Sequence, residues 1–283
     1  MPRMSPRNPK SMAELRAIGR RHVLQIVPTR NSVRPVHLHD DERDLTSNPF
    51  ATPTGPGGAQ NFHNVAGSQI ADPQVTNIYL GNFWGDRTFL EGFSKAIVEN
   101  GYLDPLKDLG YGTGSGNYLG PIDGPSLSSG STFSETDAES TLTSLLDAGT
   151  IALNDNSLFM LILPDGVTAT TSDGSQSCSS FCGFHDAFDY NGSTVAFAVL
   201  PSSLCQGCGG LIGDFTAVYA HELAEAATDK VPGEGWVADD GEENGDLEAW
   251  VLLGWGPPDN PNLYTIQGYY TNERGDTVGA WRS

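Results

Sequence analysis

Long apolar runs are missing from this chain. None approaches the roughly 20 residues that carry a helix across a bilayer, so no membrane span is expected. Basic residues are scarce as well: 15 Lys and Arg stand against 35 Asp and Glu, for a formal net charge of −20. The imbalance is uneven, with eight Lys/Arg against the single acid Glu14 in residues 1–35 and seven against 34 in the remaining 248. So acidic a body repels phosphate, which argues against nucleic acid as a partner. The glycine-rich stretch 110–116 lacks a Lys-Ser/Thr pair and does not fit G-x-G-x-x-G, so it reads as a turn, not a phosphate loop. Met1–Arg21 is basic, but only Val23–Val27 follows as an apolar run, too short for the core of a secretory leader. Internal repeats are absent, and cysteine is confined to four positions.

What is present supports a folded domain. Hydrophobic residues make up 38% and aromatics 9%, while 34 glycines and 18 prolines imply many turns. Residues 1–72 read as a proline-rich arm, largely extended, with one short helix over Ser11–His22. The pair His37 and His39 reads as a solvated loop. Residues 73–283 read as one domain. Val75–Leu80, Leu158–Leu163 and Thr194–Leu200 have strand character, the last two as buried central strands. Thr88–Asn100 and Thr136–Asp147 have helical spacing. Trp250–Trp255 and Tyr264–Tyr270 read as aromatic-rich strands. Strands alternating with helices predict an α/β fold, a layered mixed sheet with helices. Asn191-Gly192-Ser193 is a glycosylation sequon, though Asn-Gly more often marks a hairpin turn.

The most informative stretch is Ala220–Asp229. His221 and Glu225 stand four apart and share one face of a helix. Glu222 occupies the position of the general base in H-E-x-x-H zinc hydrolases, and zinc accepts a carboxylate in place of the second imidazole. Phe215, Tyr219, Leu223, Ala226 and Ala227 fall on the opposite side as a core stripe. Asp214 can cap the start of the helix. Downstream, the acidic turn 239–246 offers a third metal ligand. Glu243 and Asp246 are the candidates and Asp239 a reserve. The same turn is alternatively a calcium loop, because hard oxygen ligands suit calcium. The pattern predicts a zincin-like active-site helix holding zinc.

The cysteines fall in two tight pairs, Cys178/Cys182 and Cys205/Cys208. Two disulfides would place the chain outside the cytosol; a four-cysteine zinc site is the alternative. If each pair is bridged locally, the closed loops are small and the stabilisation low.

Several islands together resemble the EXORDIUM-like, or phosphate-induced-protein-1-like, family of secreted proteins. They are Phe62-His63-Asn64, Val75–Phe83, Cys178–His185, Cys205–Cys208, His221–Glu225 with Thr228-Asp229, Gly235-Trp236 and Glu243–Asp246. The resemblance spans roughly residues 60–248. It implies an extracellular, often cell-wall-associated protein, with no settled biochemical activity. His185 matches the family's Cys-Gly-x-His and is a candidate ligand, catalytic hydrogen-bond donor or structural residue. His63 reads as structural. Two departures stand out: Leu247 and Glu248 occupy a region where the family carries a cysteine, and Lys230 replaces a proline.

Two functions are therefore expected. The first is a zinc hydrolase of peptidase type, with His221, Glu225 and Glu243 or Asp246 as ligands, Glu222 as base and His185 assisting on a peptide or cell-wall polymer substrate. The second is a non-catalytic extracellular binding protein, with a structural metal or none. Trp250, Trp255, Tyr264, Tyr269 and Tyr270 would then form a sugar-stacking surface.

Overall fold

The structure, a computed structural model, describes residues 25–28 and 61–281. In chain order its elements begin with β1 (Gln25–Pro28), β2 (His63–Asn64), β3 (Gln74–Tyr79), α1 (Arg87–Glu99) and α2 (Asp104–Asp108). There follow β4 (Asn117–Asp123), β5 (Thr132–Ser134), α3 (Glu135–Asp147), β6 (Ser157–Ile162) and β7 (Thr168–Thr170). Then come β8 (Phe181–Tyr190), β9 (Ser193–Leu200), α4 (Ile212–Thr228) and β10 (Trp236–Val237). The chain closes with β11 (Leu252–Trp255), β12 (Tyr264–Gln267), β13 (Tyr269–Thr271) and β14 (Gly275–Thr277).

Six strands form one mixed sheet in the order β1-β8-β9-β6-β3-β4. The four from β9 to β4 run parallel, and β8 and β1 are added antiparallel at one edge. The continuous apolar runs fold as β6 and β9, buried on both faces as interior parallel strands are. Local chemistry fixes the helix starts. Asp86 accepts the Phe89 N–H at 3.2 Å before α1, and Ser134 and Asp137 form a reciprocal capping box before α3. Between β8 and β9, Asn191 and Gly192 both take positive φ, 54° and 84°, in a two-residue hairpin turn.

Alternation along the strands divides the core. Tyr79, Met160 and Ala198 pack on the face that carries α1 and α4; Ile78, Leu161 and Phe197 face α3 on the other side. Strand β8 breaks this alternation once. Its pairing with β1 joins Val27 to Gly183 and Pro28 to Phe181, leaving Cys182 without an opposite residue. The bulge lets Cys182 and Gly183 both face α4, and resets the pleat so that His185 follows them there while Asp186 faces α3.

Helix α4 is buried on every side, from Asp214 to Thr228. One flank rests on the sheet. The other is covered by the β11–β12 hairpin, where Thr216 Oγ1 donates to the Thr265 carbonyl at 2.6 Å. Tyr102 ties the layers together, bonding the carbonyls of Ala220 and Gln267.

The structure corrects several expectations. The folded unit begins before residue 73: Phe62, Val65 and Ile70 are buried, and β2 pairs with β10. Within the stretch read as an arm, Gln25–Pro28 forms the outer strand of the main sheet; the helix over Ser11–His22 and the pair His37 and His39 lie outside the described residues. Strand β4 went unread because Gly120-Pro121 interrupts it, which an edge strand tolerates. Strand β8 went unread because Gly183, His185, Asp186 and Asp189 break its apolar pattern. Asp214 does not precede α4 but sits in its first turn, where its carboxylate accepts the Leu211 N–H at 3.0 Å. No described helix is long and apolar enough to cross a membrane.

The four cysteines form two disulfides, but across the pairs: Cys178–Cys205 and Cys182–Cys208, separated by 27 and 26 residues. Local bridges are thereby excluded, as is the four-cysteine zinc site, since none of the four is free. Because the closed loops are long, each bridge restricts the unfolded chain by about 3.5 kcal/mol in the loop-entropy description. The double substitution Cys182→Ser/Cys208→Ser is expected to lower unfolding stability by about 3 kcal/mol, read from urea titrations. A change below ~1 kcal/mol would show that the bridge constrains little.

Asp186 generates a second expectation. Burial, then the charges of Glu135 and Glu139, push its carboxyl up to about 7, against a bond from the Ala187 N–H. A carboxyl raised on folding holds its proton more tightly in the folded state. Its penalty is therefore absent below the unfolded value and grows as pH rises through about 7. Asp186→Asn should then raise the melting temperature at pH 8 by about 2–4 °C, and the gain should vanish at pH 4. An equal gain at both pH values would point to packing instead.

Candidate metal centre

The site is built from three segments. Helix α4 supplies His221, Glu222 and Glu225, all with no exposed surface. Strand β8 supplies His185, also fully buried, across from the helix. The turn after β10 supplies Glu243, and Asp246 at the start of a short 3-10 turn over Asp246–Glu248. Of these groups Asp246 alone has measurable exposure, 15% of its side chain.

His221 Nε2 stands 2.9 Å from Glu225 Oε1 and 3.8 Å from Asp246 Oδ1. His185 Nδ1 lies 3.5 Å from Glu222 Oε2 and 3.7 Å from Glu225 Oε2, and its Nε2 is 3.6 Å from Glu243 Oε2. None of these is an aligned hydrogen bond. Both ring nitrogens of His185, Nε2 of His221, and both oxygens of Glu222, Glu225 and Glu243 are buried without a hydrogen-bond partner of ordinary geometry among the described residues. Buried polar atoms are nearly always satisfied. Here they crowd together and aim past one another.

The arrangement could hold a metal ion. Ligands about 2.0–2.1 Å from a tetrahedral zinc stand roughly 3.3 Å apart, which the 2.9 and 3.8 Å separations bracket. Among the described residues, two groups of His and carboxylate side chains have ligand atoms mutually within 4.8 Å: His221 with Glu225 and Asp246, and His185 with Glu222 and Glu225. Asp246 thus joins His221 and Glu225, whereas Glu243 faces His185 and Asp229. Asp239, the reserve, stands apart, 3.0 Å from His63 Nε2.

Electrostatics without a cation are unfavourable. Burial, then the charge of Glu225, raises the carboxyls of Glu222, Glu243 and Asp246 well above the usual range. Burial lowers His185 to about 4, against the pull of Glu225. At His221 burial also works downward, but Glu225 and Asp246 outweigh it and the net shift is upward. Asp229, at the end of α4, is raised to about 6 by burial although its carboxylate accepts the N–H groups of Gly233, Glu234 and Gly235. Its charge also adds to the upward shift of the neighbouring Glu243 carboxyl.

Two glycines make room for the cluster. A Cβ on Gly183 would lie 2.8 Å from Glu222 Oε1; one on Gly245 would lie 2.8 Å from Glu225 Oε1 and 3.1 Å from His221 Cδ2. Sequence reasoning passed over both, and over Gln267. The Gln267 amide accepts from Trp250 N–H at 2.9 Å, donates to the Gly245 carbonyl at 2.9 Å and sits 2.8 Å from His221 Nδ1. With Nδ1 accepting, the neutral ring carries its proton on Nε2. A metal at Nε2 would need the other tautomer, with Nδ1–H donating to the oxygen of a turned Gln267 amide. Trp250 itself takes a positive φ of 65°, an uncommon conformation for a bulky residue.

Comparison of the chain with family models, curated proteins and solved structures found no match to any of them.

Residues that orient a metal-bound imidazole typically matter 10–100-fold in affinity. Gln267→Met keeps the volume and removes the amide. It should weaken zinc binding about 10–100-fold in competition with a chelating dye, with the unfolding transition little changed. Unaltered zinc affinity would reduce Gln267 to a packing role.

Proposed function

We propose that this protein is a zinc-dependent hydrolase of metallopeptidase type, secreted and related to the EXORDIUM-like family. One observation carries the reading: His221, Glu225 and Asp246 converge, with His221 Nε2 and both oxygens of Glu225 buried and without ordinary hydrogen bonds, and Glu222 beside them on the same helix. The H-E-x-x-E spacing is that of a zincin-like helix, with a carboxylate as the second ligand. The two disulfides fit an oxidising compartment.

In this reading His221 Nε2, Glu225 and Asp246 hold zinc. Zinc, when bound, would supply Lewis acidity and acidify water. Glu222 would be the base, holding the proton on its carboxylate. Its buried surroundings raise its basicity, as a general base working near neutral pH requires. His185, neutral at that pH, supplies a hydrogen-bonding ring on the opposite wall. Gly183 and Gly245 keep the walls clear. The substrate enters on the Asp246 side, and a peptide or cell-wall polymer is its proposed class.

The alternative, a carbohydrate-binding protein, draws less support. Of the five aromatics that would form its stacking surface, Trp255, Tyr264 and Tyr269 are buried in the core. Calcium in the acidic turn is less favoured than zinc, because the converging set includes an imidazole.

Protein purified without chelator is expected to contain zinc by elemental analysis, and Glu222→Gln should retain the zinc at His221 while losing turnover by at least about 100-fold. Screening against peptide and polysaccharide libraries supplies the activity. Failure of the protein to take up zinc at all would sink the proposal.

A further inference from the structure

The group formed by His221, Glu225 and Asp246 uses only one oxygen of the Glu225 carboxylate. The other, Oε2, lies 3.7 Å from His185 Nδ1, and Glu222 Oε2 approaches the same nitrogen to 3.5 Å. Three ligand atoms, one from each of these residues, lie within 4.8 Å of one another, and all three side chains are fully buried.

We propose a second divalent-cation site formed by His185, Glu222 and Glu225, joined to the first by the Glu225 carboxylate as a bridge.

Geometry separates this from an ordinary ion pair. A protonated histidine bonded to a carboxylate closes to about 2.7–2.9 Å with its N–H aligned. Here His185 stands off from two carboxylates at nearly equal distances and bonds to neither. Equal stand-off from a common point is what a shared cation produces, since zinc ligands stand roughly 3.3 Å apart. The far side of the ring agrees. His185 Nε2 faces Glu243 Oε2 at 3.6 Å, so an Nε2–H would point at that carboxylate and leave Nδ1 to ligate. Metal-bound imidazoles are oriented by such acceptors.

Charge bookkeeping points the same way. A divalent cation at the first group is balanced by Glu225 and Asp246. Glu222 is then a buried carboxylate beside a neutral ring, and neither of its oxygens has a partner among the described residues. A second divalent cation is balanced by Glu222 together with Glu243, whose Oε2 lies 3.6 Å from His185 Nε2. One imidazole and two carboxylates suit zinc or manganese, and a carboxylate bridge fits metals about 3.5–4 Å apart.

The site gives the centre two states. With one cation bound, Glu222 is available as a base. With two, Glu222 is a ligand and cannot accept a proton, so excess zinc suppresses that route. This consequence rests on the hydrolase reading, whereas the site itself does not.

The experiment counts zinc in the full chain with its disulfides intact, stripped by chelator and titrated with zinc chloride, using native mass spectrometry and elemental analysis. Circular dichroism checks the fold of each variant. Two zinc ions per chain are expected for the parent protein, and one each for His185→Ala and His221→Ala. Loaded with cobalt(II), the parent should show an exchange-coupled spectrum that both variants lose. A single zinc retained by His185→Ala and lost by His221→Ala overturns the second site and leaves the hydrolase site standing. A single zinc with the opposite dependence supports the His185 site and removes the hydrolase reading. Zinc binding indifferent to both substitutions overturns both.

Discussion

The cost of burying carboxylates governs this structure. Glu222, Glu225, Glu243 and Asp229 lie in the interior with two imidazoles, and burial alone disfavours each ionised form. Coulomb repulsion among them adds to that cost, since each further carboxylate raises the others. A fold selected for stability alone would place apolar side chains there. Everything around the cluster works to hold it against this tendency. Helix α4 is locked between a sheet and a hairpin, the turn before β10 is anchored by Asp229, and β8 presents His185 from the opposite wall.

The bulge at Cys182 connects sheet geometry to the cluster. A regular strand would alternate through this point and turn His185 toward α3, where Asp186 now points. One extra residue corrects the phase. It also delivers Cys182 to its disulfide with Cys208, four residues before α4 begins. The strand that carries one histidine is therefore covalently tied to the approach of the helix that carries the other.

Much of this was legible in the chain. Alternation marked β3, apolar runs marked β6 and β9, and helical spacing marked α1 and α3 to within a residue or two of their ends. His221, Glu222, Glu225, Glu243, Asp246 and His185 were all identified as candidates. Partner choice was not legible. Nothing in the spacing of Glu243 and Asp246 tells which meets His221, because a turn's path decides it. Strand β8 was hidden by the polar residues that make it useful, and β4 by a Gly-Pro step. Gly183, Gly245 and Gln267 carry no chemistry of their own; their importance lies in what they leave room for or orient. The cysteine pairing was open for the same reason, since adjacency in sequence favours neighbours and the fold instead joins residues 26 and 27 apart.

That crossed pairing has a bearing on how the chain reaches its native state. In an unfolded chain, Cys178 meets Cys182, and Cys205 meets Cys208, far more often than either meets its native partner, because short loops close at lower entropic cost. Oxidation before β8 and the approach to α4 have come together therefore captures the wrong bonds. Escape requires thiolate attack and exchange, a process of seconds to hours without assistance. The order of events during biosynthesis, sheet assembly first and oxidation second, is thus written into the spacing of four residues.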